Sequence, residues 1–363
     1  MKPVQPLQTG PAVAAQRAST VDQTRRSALK LGAASAISAG MGAYAPLVRA
    51  QAMEKIAVRL DWVTWGAHAA VHLASQKGWF KEQGLDPTIE DGNGSVTTVQ
   101  LVGNGNFDIG HASLAPMIIA RSKGLPIRAV ANFARKNDIG LMVPKGGGIK
   151  SPKDLAGKKL IYTAGSLEAP FLDTFLAAGG LKRDQVELLA VDAASKIPSY
   201  IAGRGDGVFS SVPNVLPAVA GPRLSEAILF ADVGLQFPSF GLIASEDTIK
   251  KRPQVLRKFA SVVSGAWTYI QNGHIDEAVA AILAQRAQSK LDAHAIHGMV
   301  ESFLEFFTTP ASVGKPVGTM VASDWVSGLK VMETAKLIGP ANPAEYFTND
   351  LLDLDLIKTL GSR

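Results

Sequence analysis

Residues 55–102 read KIAVRLDWVTWGAHAAVHLASQKGWFKEQGLDPTIEDGNGSVTTVQLV, and within them a short apolar run twice gives way to an amphipathic one. Residues 55–60 and 87–90 have strand length and composition, whereas 67–76 and 96–102 place their apolar residues at helical spacing. Such alternation predicts an α/β fold with parallel strands. Outward from this stretch the pattern continues through a short strand at Ile109, a helix at 114–122 and strands at 127–133 and 140–143. It restarts at Ser151-Pro152-Lys153-Asp154-Leu155, a turn with Ser at the N-cap and Pro at the first helical position. A second series follows, with strands at 159–162, 186–189 and 207–210 and helices at 169–178 and 197–202. After a strand at 240–244 the chain reads as helix, with Val255, Phe259, Val262, Ala266, Tyr269 and Ile270 on one face. Extended crossings near 143–148 and 234–240 predict a discontinuous first lobe (53–145 and 238–363), a continuous second lobe (146–237) and a cleft between them.

The amino terminus carries a different signal. Arg25-Arg26 precede eighteen uncharged residues, 31–48, and Ala50-Gln51-Ala52 forms an A-x-A cleavage pattern, so residues 1–52 are expected to be a cleaved twin-arginine signal peptide. The uncharged stretch is mostly Ala, Gly and Ser and contains Pro46, a weak candidate for a retained membrane anchor. The whole chain has a formal net charge of +6, but residues 1–52 hold six basic groups and one acid, leaving 31 basic and 30 acidic residues afterwards. That balance gives no reason to expect a nucleic-acid partner. There is no cysteine, which excludes disulfides, a thiolate metal site, a cysteine nucleophile and a lipid-modified cysteine. The expectation is a soluble, monomeric periplasmic protein without a lipid anchor.

Several stretches resemble one group of solute-binding proteins. They are Arg59-Leu60-Asp61-Trp62, then His68, then Ala74-Ser75-Gln76-Lys77-Gly78-Trp79-Phe80-Lys81-Glu82-Gln83-Gly84-Leu85, with Gly105-Asn106-Phe107-Asp108-Ile109-Gly110, Gly124-Leu125-Pro126-Ile127, Asp154-Leu155-Ala156-Gly157-Lys158 and Gly203-Arg204-Gly205-Asp206-Gly207 further on. In order and spacing these are similar to the thiamine-pyrimidine and sulfonate/nitrate/taurine branch of ABC-importer binding proteins. The resemblance implies a two-domain, type II periplasmic-binding-protein fold with a hinge, a small-molecule ligand and a membrane permease as partner. Thiamine-pyrimidine members continue Leu-Asp-Trp with Pro-Asn, where this chain has Val63-Thr64-Trp65. The group also includes a yeast pyrimidine synthase that depends on a cysteine-rich motif, which a chain without cysteine lacks.

Candidate site residues follow from the rule that an open α/β sheet places its crevice outside the carboxyl ends of its strands. Asp61, Trp62 and Trp65 follow the first strand, where an indole can stack on a flat heterocycle and a carboxylate can accept from an amine. His68 is a hydrogen-bonding candidate. With His72 four residues on it has a spacing that can begin a metal site, the basis of a rival reading as an exported metal-dependent hydrolase. Asn93 and Ser95 precede one helix and Ser166 another, so each lobe offers backbone N–H groups at a helix start. Tyr162 can complete an aromatic sandwich with Trp62, and Thr163 and Glu168 share its turn, with Glu168 placed to hold a ring nitrogen or amine. His111, Ser113, Ser210 and Asn214 follow other strands. No Gly-x-Ser-x-Gly elbow and no phosphate loop occurs, so neither catalysis nor a cofactor or resident metal is expected. Two acids and several aromatics favour an amine-bearing heteroaromatic such as a thiamine-precursor pyrimidine. The histidines and helix starts would suit a sulfonate, nitrate or aromatic carboxylate, and a sensing role beside a membrane kinase is a further alternative.

Overall fold

Strands covered on both faces are buried along their whole length, and three such strands lie inside the two sheets of this molecule. The computed structural model describes residues 53–363; the expected signal peptide, 1–52, lies outside the described residues. Ten strands form: β1 Glu54–Arg59, β2 Leu85–Glu90, β3 Ile109–Ser113, β4 Ile127–Asn132, β5 Ile139–Pro144, β6 Lys159–Tyr162, β7 Glu187–Ala190, β8 Gly207–Ser211, β9 Ser225–Leu229 and β10 Phe240–Ser245. Every residue of β3, β8 and β10 is buried, whereas the edge strand β2 alternates between buried or half-buried and exposed positions. Two mixed sheets result, in the orders β2-β1-β3-β10-β4 and β7-β6-β8-β5-β9.

The sheets have the same plan. In the first, β1 runs parallel to β2 and β3 while β10 runs antiparallel to β3 and β4. In the second, β6 runs parallel to β7 and β8 while β5 runs antiparallel to β8 and β9. Each antiparallel strand directly follows a crossing: β5 comes from the first sheet's side and β10 from the second's. The first crossing therefore lies at 133–138, not near 143–148, and residues 139–144, expected in the first lobe, pair within the second sheet. An apolar run with no turn residue carries no mark of the sheet it will join.

Helices cover both sheets. The helix Pro253–Gln271 buries the face read from its spacing and packs against Ala69–Gln76 and Leu354–Gly361. The helix Ala293–Leu304 reaches over to Val212–Val219 of the second half. The turn at Ser151 is a 3₁₀ turn, Pro152–Leu155, whose start is tied by Asp154 accepting from the backbone N–H groups of Lys150 and Ser151. No helix among the described residues is long and apolar enough to cross a membrane.

One carboxylate ties the crossings together. Asp138, fully buried, accepts from the hydroxyls of Ser211 at the end of β8 and Ser239 on the returning crossing, and its carbonyl accepts from Val212 N–H. Burial pushes the Asp138 carboxyl up to about 6, further than the two serine bonds pull it down, and the charge of Asp61 adds to the rise. Between the ordinary value, 3.8, and 6 the folded chain binds the extra proton, so this group's contribution to stability falls as pH rises through that window. Asp138→Asn is expected to flatten the profile and to gain on the order of 2 kcal/mol at pH 7.5 relative to pH 4.5, read by urea unfolding at both pH values.

Candidate functional site

The loop after β1 and the ends of β3, β6 and β8 meet where the two sheets face each other. Because β1 and β3 are parallel neighbours with Arg59 opposite Gly110, Asp61 and His111 emerge side by side. Asp61 Oδ1 lies 2.8 Å from His68 Nε2 and 2.8 Å from His111 Nδ1, and all three residues are buried. Burial pushes the Asp61 carboxyl up, but the bonds from His111 and His68 outweigh it and hold the group well below the ordinary carboxylate range. The same burial pushes the His111 imidazole down, against the pull of Asp61. His68 Nδ1 and His111 Nε2 are buried without a hydrogen-bond partner.

Trp62 from the first half meets a residue that the sequence did not single out. Lys196 Nζ lies 4.8 Å from the indole centroid, bonds Glu168 at 2.7 Å and the Phe209 carbonyl at 3.1 Å, and is fully buried. A lone lysine at a helix start looks like a surface residue in sequence; only its distance from Glu168, 28 positions along the chain, hides the pair. Burial pushes the Lys196 ammonium down against the attraction of Glu168. The halves also touch through backbone, with Val96 N–H donating to Gly165 O at 3.1 Å.

Several expected roles change. Glu168 is not free to hold a ligand amine: beyond Lys196, its oxygens accept from Thr163 N–H at 3.1 Å and the Ser166 hydroxyl at 2.6 Å. This places Thr163 and Ser166 in the same network, and the Thr163 hydroxyl turns away to the Val191 carbonyl. Trp65 is a core residue, edge-on to His68, Phe240 and Phe303. Ser95 is the first residue of the helix Ser95–Gly103, whose cap is Gly94, and its buried hydroxyl accepts from Ser113 N–H at 3.1 Å. Ser113, Ser210 and Asn214 are buried, Tyr162 is half-buried and Asn93 is exposed. His72 separates from His68. His68 ends a 3₁₀ turn, Gly66–His68, so the pair does not share one α-helical face, and His72 Nδ1 bonds Gln285 instead.

A cavity of about 310 Å³ spans the junction, lined by Asn93 and Thr97 from the first half and by Thr163, Gly165, Val191 and Asp192 from the second. A larger one of about 490 Å³, beside Arg121, Leu125, Glu246 and Tyr346, is confined to the first half and touches none of the residues above. The junction cavity is the one that both halves line. Gly94, at φ +149°, lies so close to Gly165 that a Cβ would stand 2.0 Å from the Gly165 oxygen. Gly94→Ala is expected to hold the halves apart and to weaken ligand binding at least tenfold, with a larger radius of gyration by small-angle scattering.

Two sheets of one plan, exchanging strands across two crossings with a polar junction between them, define the periplasmic-binding-protein fold. Among solved structures it is shared by the alkanesulfonate-binding protein SsuA from Xanthomonas axonopodis pv. citri bound to MOPS, with a TM-score of 0.61, 16% identity and coverage of 82% of this chain and 98% of that one. Residues 65–274 match the family described as NMT1/THI5 like, and the chain belongs to that family. It is 27% identical over 243 residues to the formylaminopyrimidine-binding protein of Halalkalibacterium halodurans, covering 66% of this chain and 73% of the relative. It is also 28% identical over 231 residues to the 4-amino-5-hydroxymethyl-2-methylpyrimidine phosphate synthase THI5 of Saccharomyces cerevisiae, covering 60% and 67%.

Proposed function

We propose that this chain is the periplasmic ligand receptor of an ABC importer, with two lobes that close on an amine-bearing heteroaromatic of the thiamine-precursor pyrimidine class. The observation that carries the reading is the Lys196 ammonium resting on the Trp62 ring across the junction. An indole face that attracts an ammonium also attracts an electron-poor or protonated heterocycle. The fixed charges nearby are consistent with this: Glu168 cancels Lys196, so this lysine offers a sulfonate or nitrate no uncompensated positive charge. The formylaminopyrimidine-binding relative supports this ligand class. Binding without catalysis is supported by the absence of cysteine, although relatives in yeast are named as synthases. A ligand that bridges Trp62 and the turn of Tyr162 stabilises the closed arrangement over the open one, and that difference is what a permease would read.

A thermal-shift screen of aminopyrimidines, alkanesulfonates, nitrate and aromatic carboxylates tests the reading. A ligand at a hundred times its dissociation constant adds about 2.7 kcal/mol of stability, so an aminopyrimidine is expected to raise the Tm by several degrees. A shift with a sulfonate and none with any aminopyrimidine would overturn the ligand class.

A further inference from the structure

We propose that Asp61, His68 and His111 form a binding site for a divalent transition-metal ion of the zinc class, on the first-half side of the junction. This goes beyond the ligand-receptor reading and does not depend on it. The donor set is two imidazoles and one carboxylate, and one ligand atom from each residue lies within 4.8 Å of the other two. Borderline cations prefer that mixture of nitrogen and oxygen, and three protein ligands leave a further position for water or a ligand atom. Bonds of about 2.0–2.2 Å to such a cation in tetrahedral geometry place neighbouring donors roughly 3.4 Å apart. The two N···O separations of 2.8 Å need only a small expansion to reach that spacing.

A second observation is independent of those distances. His68 Nδ1 and His111 Nε2, the ring nitrogens turned away from Asp61, are buried and bonded to nothing, so no protein acceptor or donor fixes which nitrogen of each ring carries the proton. Moving the ring protons to the outer nitrogens gives up both bonds to Asp61, an exchange offset by the bonds the two inner nitrogens and the carboxylate then make to the cation. Each histidine is also held in its plane: His111 stacks on Phe240 with centroids 5.3 Å apart, and His68 stands edge-on to Trp65. His72 takes no part, since its Nδ1 is bonded to Gln285.

The test uses the purified protein stripped with EDTA and titrated with zinc chloride alone by calorimetry. One saturable site of micromolar affinity or tighter is expected, weakened at least a hundredfold by His68→Ala and by His111→Ala. It should be unchanged by His297→Ala, which removes the surface histidine lying near Asp276 and Glu301. Because the buried variants can misfold, X-ray absorption on the zinc-loaded unsubstituted protein gives a second reading, with two imidazoles expected in the zinc shell. Absence of a saturable site, loss of binding in His297→Ala with retention in His111→Ala, or a shell with fewer than two imidazoles would each overturn the proposal.

Discussion

Trp62→Ala is expected to abolish the aminopyrimidine-induced thermal shift, with a loss of affinity greater than a hundredfold. The indole is 5% exposed and is the only aromatic ring among the described residues with the Lys196 ammonium over its face. Stacking of the ligand on the ring and the apolar area buried against it together amount to about 3 kcal/mol. Trp62→Phe keeps a ring face with a weaker cation attraction, so it is expected to fall between wild type and alanine. Truncating a buried indole also costs the free protein about 3–5 kcal/mol, so the titration is read below each variant's own unfolding transition. An alanine variant that binds as tightly as wild type removes Trp62 from the site.

Glu168→Gln is expected to cost about 3–5 kcal/mol of stability at pH 7, because it leaves the buried Lys196 ammonium without its counter-charge. Surface ion pairs such as Lys251 with Asp247 contribute little by comparison. In the variant the counter-charge no longer opposes the burial that pushes Lys196 down. The unfolded chain then binds the lysine proton where the folded chain does not, and stability rises with pH through that window. Urea unfolding should therefore show a deficit that shrinks between pH 7 and pH 9. Pairing the change with Lys196→Met is expected to recover most of the loss, since a packed apolar pair often equals a buried ionic one. The double variant should still bind ligand differently, having lost the cation on Trp62.

Much of the fold was legible because its signals are local. The strand at Lys159–Tyr162 and the helix at Ser95–Gly103 announce themselves within a few residues, through periodicity and turn chemistry. The rule about strand ends named Asp61 and His111, which the structure brings into contact, and Trp62, which meets Lys196. It could not tell Trp65 from Trp62, since three positions along the same loop separate a core indole from one at the junction. It also assigned Glu168 a free carboxylate, because the neutralising lysine lies in another element.

The sequence by itself determined the α/β alternation and the long helical end, because side-chain period and N-cap preference act over one or two turns of chain. Only the tertiary structure decided that β5 joins the second sheet, that Asp61 receives histidines seven and fifty residues away, and that Lys196 crosses the junction to Trp62. Those outcomes depend on strand register and on which strand ends are brought together, and no local preference encodes a contact made by packing across the whole chain.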